Sequence, residues 1–437
     1  MVEDHTAGAA GDPRGTQEAA DSDENRQLAG LDPGTLHAAS EAVRRLWTLL
    51  LLTAAACSTQ IPVSTDVALS AELAEVPAVA LHDVAILFPL PAPGDANGLW
   101  PATQDLGGAR ALLPAAVVDA LGSMVAGEPN RDIYALLRVV SLRLEPCFVA
   151  DAAAPTCERQ IRFVLQPVAA DRAGVARTTT LDAAVHVIYE LPTSAFAALA
   201  RGIVALRTAS APQLAAPLGV HPVLATEGLA GPFARGLLPL VVESTGKGRL
   251  TRITFMGVRG RGNEWQFGGV RVAADGTLAP LPIPSSGLAL QSIVLQRGGQ
   301  SFVKSVSPQT AGTDDVSLLF DSISASVATR TEISAALRAA NRIENPVLRS
   351  SEDTDCATCH AVASSRFWAE KTFAMSESAS RFAAKGFDLA ATGAPTTDLG
   401  VLRALGYFGS DAAISPRAIH EAAQAAQTIR EGSTARP

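Results

Sequence analysis

The clearest chemistry in this chain lies in five consecutive residues near the C-terminus, Cys356-Ala357-Thr358-Cys359-His360. Cysteines three positions apart occupy adjacent positions of one helical turn, so their sulfurs can act together. The histidine adds a ring nitrogen that can bind a metal ion. This spacing is compatible with a dithiol redox pair, with half of a zinc site, or with a covalently held, metal-containing cofactor.

The pentapeptide resembles the haem-attachment motif of c-type cytochromes. The resemblance implies one covalent haem c, with Cys356 and Cys359 bonded to its two vinyl groups and His360 as the proximal iron ligand. With five Cys and seven His in 437 residues, chance is a poor explanation of the motif. Aromatic residues suited to the apolar shell of a haem follow it: Phe367, Trp368, Phe373, Phe382, Phe387, Tyr407 and Phe408.

Two other interpretations of the cysteine pair stay open. A redox pair of the thioredoxin type requires a preceding strand in a βαβ unit, whereas here a predicted helix, Asn345-Pro346 and an acidic turn come first. A zinc site needs a second pair of Cys or His ligands, and after the motif the sequence offers only His420.

The haem interpretation leaves three options for the sixth iron position. Met375 is the only Met after the motif, and it can fold back if the motif helix ends near Thr372. His420 lies on a predicted helix that starts at Pro416. The third option is an empty position, which would leave the iron open to small ligands.

The elements that carry these residues indicate an α+β fold. Asp355 is a predicted N-cap, so the motif opens a helix that runs to about Thr372. We expect a β-rich, hairpin-containing middle domain, followed by a mainly helical C-terminal segment that bears the haem. Strands are predicted at 84–90, 136–144, 161–165, 184–191, 250–258, 265–272 and 288–295, and helices at 193–207 and 321–341.

Cys147 and Cys157 are predicted to form a disulfide that closes a hairpin between the strands at 136–144 and 161–165. Both strands alternate: Val140, Leu142 and Leu144 share one face of the first, and Ile161, Phe163 and Leu165 share one face of the second. Placing both sets on one face of the sheet requires an even-numbered residue opposite an odd-numbered one.

The middle region carries no recognisable catalytic motif. Gly257-x-x-Gly260-x-Gly262 indicates a hairpin turn, because no helix follows as a dinucleotide site requires. His82, His186 and His221 are isolated and are interpreted as structural histidines. This region resembles large envelope lipoproteins of GC-rich soil bacteria such as myxobacteria, a resemblance that implies no activity.

The N-terminal region predicts export. Arg44 and Arg45 precede the apolar run 46–56, which is too short to span a bilayer. Ala54-Ala55-Ala56-Cys57 resembles the lipobox of bacterial lipoproteins, which implies lipidation of Cys57. The expected segments are an upstream extension that is disordered or not translated (1–42), a signal peptide (43–57), a linker (58–81), an α+β domain of unknown function (82–325) and the haem segment (326–437).

These observations predict an exported lipoprotein on the periplasmic side of the outer membrane. The net charge of −8 and the absence of basic clusters exclude nucleic acid as a partner. One haem without neighbouring acid-base residues favours electron transfer or redox sensing with a periplasmic redox partner over catalysis, and a haem peroxidase is a weaker third option. The alternative is a haem-free envelope lipoprotein in which Cys356 and Cys359 form a disulfide.

Overall fold

A ten-stranded antiparallel sheet forms the frame of the chain. The computed structural model describes residues 79–92, 98–106, 111–114, 117, 135–149, 157–169, 178–211, 216–246, 248–258, 263–310, 314–351, 353–378, 381–384, 386–390, 398–402 and 404–432. All of them fall within the compact unit Ser64–Pro437. The predictions for the signal peptide and for lipidation at Cys57 lie outside the described residues.

Most strands follow one another directly, but long connections join β1 to β2 and β5 to β6, and the second of these carries helices. The strands are β1 (Ala85–Leu87), β2 (Leu137–Val149), β3 (Cys157–Ala169), β4 (Thr179–Thr180), β5 (Ala184–Leu191), β6 (Leu250–Val258), β7 (Glu264–Val272), β8 (Leu278–Pro280), β9 (Leu290–Gly298), β10 (Ser301–Ser307), β11 (Leu405–Phe408) and β12 (Asp411–Ile414). The sheet order is β1-β2-β3-β5-β6-β7-β9-β10, with β4 beside β3 and β8 beside β7, while β11 and β12 form a separate hairpin.

Nine helices are described, one before the first strand and the others between and after the strands. They are α1 (Leu81–Val84), α2 (Thr193–Ser210), α3 (Pro222–Glu227), α4 (Pro232–Ser244), α5 (Ser317–Phe320), α6 (Ser322–Val327), α7 (Arg330–Ile343), α8 (Cys356–Phe373) and α9 (Pro416–Arg430). Mixed helices and one large antiparallel sheet confirm the α+β class.

The two faces of the sheet carry different helical layers, because side chains alternate along each strand. The first face packs against α2 and α4 in a core that contains a cross-strand row: Leu142, Phe163, Val187 and Ile253. The second face, with Met256, Phe267 and Ile293, packs against α7 and α8. The helix that carries the motif therefore lies on the second face.

The hairpin of β2 and β3 has the predicted even-to-odd register, with Leu142 opposite Phe163 and Leu144 opposite Ile161. The predicted disulfide between Cys147 and Cys157 is present. One detail was wrong: a bulge places Val139, and not Val140, opposite Leu165. The extra residue shifts the alternation, so Val140 leaves the face of Leu142 and lies toward Gly406 of β11.

Two predicted elements differ in the structure. The run 84–90 is a strand only over Ala85–Leu87, because α1 continues through Val84. The predicted helix 321–341 is divided into α6 and α7 at Thr329, whose hydroxyl accepts the Glu332 N–H while the Glu332 carboxylate accepts the Thr329 N–H. This reciprocal capping starts a new helix at Arg330, so the helix predicted at 321–341 is interrupted at Thr329.

Candidate functional site

The motif opens α8, and Asp355 caps this helix as the sequence predicts. Asp355 Oδ1 accepts the backbone N–H of Thr358 at 2.9 Å and a side-chain N–H of Gln291 at 2.6 Å. The oxygen of Gln291 in turn accepts the backbone N–H of Ala357 at 2.9 Å. The first turn of α8 is thereby fixed to strand β9 through buried hydrogen bonds, which hold the motif in one orientation.

Cys356, Cys359 and His360 lie together in this first turn. The two sulfurs are thiols that are not joined in a disulfide. Burial raises the pKa of the Cys359 thiol to about 11, and the neighbouring Arg417 only partly opposes this. Because the thiolate is the nucleophile in thiol-disulfide exchange, such a thiol is a poor redox catalyst.

The ring of His360 is held by two contacts. Its Nδ1 lies 2.5 Å from the carbonyl oxygen of Leu402, and its plane lies against Phe267 with ring centroids 5.2 Å apart. A carbonyl only accepts, so Nδ1 carries the proton and Nε2 of the neutral ring carries the lone pair. Metal-ligating histidines are oriented in this way, by donation from the other nitrogen to a carbonyl or carboxylate.

A small cavity, here called the motif cavity, lies between the first turn of α8 and the second face of the sheet. It measures about 50 Å³. Its lining residues are Val164, Ala184, His186, Thr254, Phe255, Met256, Phe267, Gly268, Cys356, His360, Ala404 and Leu405. Most of this lining is apolar, and it also carries one further imidazole and one thioether.

His186 and Met256 are the residues at this site that sequence reasoning missed. The sequence analysis interprets His186 as a structural histidine and assigns no role to Met256. In the structure, β5 and β6 place both side chains on the sheet face covered by α8. A sequence signal did exist for His186: its neighbours Val185 and Val187 face the first core, so alternation turns the histidine to the opposite side.

Met375 and His420, the two predicted candidates for a sixth ligand, lie away from the motif cavity. From His360, α8 continues for thirteen residues to Phe373, a distance of about 20 Å at the helical rise. Met375 follows that end and packs with the apolar cluster around α8. His420 on α9 donates from Nδ1 to the Glu344 carbonyl at 2.8 Å and stacks on Phe382.

On the Cys359 side of α8, a buried network of charges joins α9 to β2. Glu421 receives hydrogen bonds from Arg143 at 2.7 Å and from Arg417 at 2.6 Å. Burial alone would raise the pKa of Glu421, but the two guanidinium groups outweigh it and lower that pKa. Arg417 also donates to the carbonyls of Ile343 and Arg349, so this network fixes α9 against the chain that leads into the motif.

A larger cleft of about 770 Å³ lies beside the N-terminus of α8, but neither cysteine lines it. Its aspartates already have partners. Asp314 binds both Arg342 and Arg349 at 2.5 Å, and Asp355 is the helix cap. This cleft therefore borders the motif through Thr358, and it is distinct from the motif cavity that Cys356 and His360 line.

The donor set of the motif suits a covalent haem: two thiols and an oriented imidazole share one capped turn. The space does not yet suit it, since pockets for organic ligands measure roughly 300 Å³ or more. The motif cavity, which Ala404 and Leu405 help to line, is several times smaller than this.

No group of three or more His, Cys, Asp or Glu side chains is arranged within the described part of the chain to hold a metal ion, so the described residues offer no complete zinc site. No described helix combines the length and hydropathy needed to cross a membrane.

Compared with known proteins, the chain matches no family model, no curated protein and no solved structure.

Proposed function

We propose that this protein binds one c-type haem through Cys356 and Cys359, with His360 as the proximal ligand. The observation that carries the proposal is the arrangement of His360. Its Nδ1 is held by the Leu402 carbonyl, so the lone pair is on Nε2, in the same helical turn as two thiols. The sequence motif and the tautomer of His360 both support iron ligation by its Nε2 atom.

The proposed role is electron transfer or redox sensing. Bound haem supplies one-electron oxidation and reduction, and the protein supplies binding, orientation and exclusion of water. Apart from Cys356, His186 and His360, the lining of the motif cavity has no ionisable side chain. With His360 as the proximal ligand, His186 is the one histidine left in this lining that could act as a general acid or base, and the lining holds no carboxylate, which supports a carrier of electrons more than a peroxidase.

The cellular setting is part of the proposal. Covalent haem attachment follows export in bacteria that use this motif, so the protein is placed on the periplasmic side of the envelope. There Cys57 carries lipid, and a redox partner exchanges electrons with the haem. Within the chain, we assign the haem to the helices from 326 onward, with the sheet as the opposite wall of the cavity.

The test is a haem stain of denatured protein made in a host with haem-attachment machinery. Wild-type protein is expected to retain haem after denaturation, and the double variant Cys356→Ser/Cys359→Ser is expected to retain none. Cys147→Ser/Cys157→Ser is the matched control: it also removes two cysteines and is expected to stain as wild type. Absence of covalent haem in the wild type would refute the proposal.

The rival function is a haem-free envelope lipoprotein whose Cys356–Cys359 pair closes a loop. The volume of the motif cavity, about 50 Å³, favours this rival. The same preparation separates the two. Mass spectrometry of the rival would show a chain without haem mass and two hydrogens lighter at the Cys356–Cys359 pair, in addition to the Cys147–Cys157 disulfide.

A further inference from the structure

We propose that His82 and His221 make one corner of the fold sensitive to acid, an inference that does not depend on haem. This corner, here called the α3 corner, consists of residues 216–228. His82 lies in α1, and His221 lies directly before α3. Their rings meet edge to face, with centroids 5.6 Å apart, and the two residues are 1 % and 0 % exposed. Two groups that can each take up a proton are therefore buried against each other.

The hydrogen bonds of the two rings indicate which ring nitrogens carry protons. His82 Nε2 lies 3.1 Å from the carbonyl oxygen of Pro217, which only accepts, so Nε2 carries the proton. His221 Nδ1 accepts the backbone N–H of Leu224 at 3.3 Å, so Nδ1 carries a lone pair. Among the described residues, neither His82 Nδ1 nor His221 Nε2 has a hydrogen-bond partner. The folded corner therefore suits both imidazoles in their neutral forms.

An added proton disturbs this arrangement at either ring. His221 is the N-cap of α3, and a proton on its Nδ1 would turn the acceptor of the Leu224 N–H into a donor. A proton on His82 Nδ1 would be buried without an acceptor among the described residues. In an exposed chain, water solvates both charged rings. Acid therefore favours the exposed state of these two histidines over the folded one.

The charged groups around the pair do not offset an added proton. The carboxylate of Asp83, next to His82 in α1, is already bound by Arg207 of α2 at 2.8 Å. Arg430 of α9 adds a second positive charge near Asp83. Glu227, at the other end of α3, accepts a backbone N–H of α4 at 3.0 Å. The two carboxylates thus have partners, and Arg207 opposes a positive charge on the rings.

The pKa directions agree with this geometry. Burial, with contributions from His82 and Arg207, lowers the pKa of His221 from 6.5 to about 3. Burial also lowers the pKa of His82, and the hydrogen bond to Pro217 partly opposes this. When the corner unfolds, both rings regain a pKa of about 6.5. Below that pH the unfolded corner binds protons that the folded corner does not, so local unfolding becomes more favourable as the pH falls.

The α3 corner packs at the edge of the sheet. The backbone N–H of His221 donates to the carbonyl of Leu87 in the edge strand β1 at 2.8 Å, and Val220 forms a β-bridge with the same residue. Leu218 and Leu224 of the corner are fully buried. Local unfolding would expose these two leucines. We therefore expect acid to uncover an apolar surface beside β1 while the centre of the sheet remains folded.

Hydrogen-deuterium exchange of the full-length protein tests the proposal, with amides of the α3 corner compared with those of β5 after correction for the intrinsic effect of pH on exchange. Each histidine that is neutral in the folded corner favours opening by about 100-fold more at about pH 4.5 than at about pH 7.5. Protection of the α3 corner is therefore expected to fall by at least about 100-fold, and further than that of β5.

The variant His221→Asn isolates the contribution of His221. Asparagine is a good N-cap that accepts a hydrogen bond and does not titrate, so the pH dependence of protection is expected to weaken by about 100-fold. His420→Gln is the matched control, because it removes a buried histidine of α9 that lies outside the α3 corner. It is expected to keep the wild-type pH dependence at the corner.

Two results would overturn the proposal. The first is an equal loss of protection in the α3 corner and in β5, which would show acid unfolding of the whole protein. The second is an unchanged pH dependence in His221→Asn. If this variant does not fold, titration of the wild-type histidines by nuclear magnetic resonance decides. A His221 ring that takes up a proton near pH 6.5 while the corner stays protected would contradict the proposal, whereas loss of protection without such a titration is the expected result.

Discussion

The side-chain amide of Gln291 donates a hydrogen bond to the carboxylate of Asp355 across 2.6 Å. This contact joins a strand of the large sheet to the cap of the helix that carries the cysteine motif. Asp355 is 4 % exposed, so most of its hydrogen-bonding capacity is used within the protein. The orientation of the motif therefore depends on one buried carboxylate.

Asp355→Ala is expected to lower the free energy of unfolding by about 2 to 4 kcal/mol. It removes an N-cap and the carboxylate acceptor of Gln291, whose amide then keeps only the Pro308 carbonyl at 3.1 Å. Urea denaturation measures the loss. Thr329→Ala is the matched control, because it removes an exposed cap from α7 and is expected to cost about 1 kcal/mol. Equal losses in the two variants would contradict a special role for the buried cap.

Because Lys304 is buried, we expect the free energy of unfolding of this protein to rise with pH. Its ammonium group is buried and donates to Ser364 and Ser365 of α8, each at 2.8 Å. Burial, assisted by Arg297 and opposed by Asp398, lowers the pKa of Lys304 from 10.5 to about 7. Between these two values the unfolded chain binds a proton that the folded chain lacks, so the free energy of unfolding increases with pH.

The increase from pH 7 to pH 10 is limited to about 5 kcal/mol by the size of the pKa shift. Urea denaturation at several pH values measures it, and Lys304→Met isolates it, since this variant has no ammonium group to titrate. We expect the wild-type curve to rise relative to that of Lys304→Met. Parallel curves would show that Lys304 keeps its ordinary pKa in the folded protein.

The disulfide between Cys147 and Cys157 is expected to contribute about 3 kcal/mol to stability. Its two cysteines are 10 residues apart in sequence, and closing a loop of this length restricts the unfolded chain by roughly that amount. Denaturation of Cys147→Ser/Cys157→Ser, compared with wild type under non-reducing conditions, measures the contribution. With a reducing agent, the two proteins should converge, and a persistent difference would indicate a packing defect instead.

Arg207 and Asp83 form a buried ion pair that joins α2 to α1, with Nε 2.8 Å from Oδ1. Their side chains are 5 % and 2 % exposed. Arg207→Met is expected to lower the free energy of unfolding by about 3 to 5 kcal/mol, because it leaves a carboxylate buried without its partner.

The surface pair of Arg297 and Asp398 provides the comparison for this prediction. Both side chains are about half exposed, and Arg297→Met is expected to change stability by less than about 1 kcal/mol. The double variant Asp83→Asn/Arg207→Met should recover part of the loss seen in Arg207→Met. A loss equal to the sum of the two single variants would show that the pair is not coupled.

The sequence by itself determined the local features of this protein. Asp355 before the motif predicted the start of α8, because capping depends on residues within four positions. Alternation with period two predicted the β2–β3 hairpin and its register, and the same reasoning paired Cys147 with Cys157. Thr329 and Glu332 also form a readable capping box, so the break between α6 and α7 was available in the sequence although it was not predicted.

Only the tertiary structure decided what surrounds the motif. His186 and His360 are 174 positions apart in the sequence, and they border the same cavity. They meet because β5 lies within the sheet and the side chain of His186 is on the face that α8 covers. Leu402, which orients His360, comes from a stretch with no periodic pattern. Such contacts depend on strand order and on the packing of layers, and no local preference of the chain encodes either one.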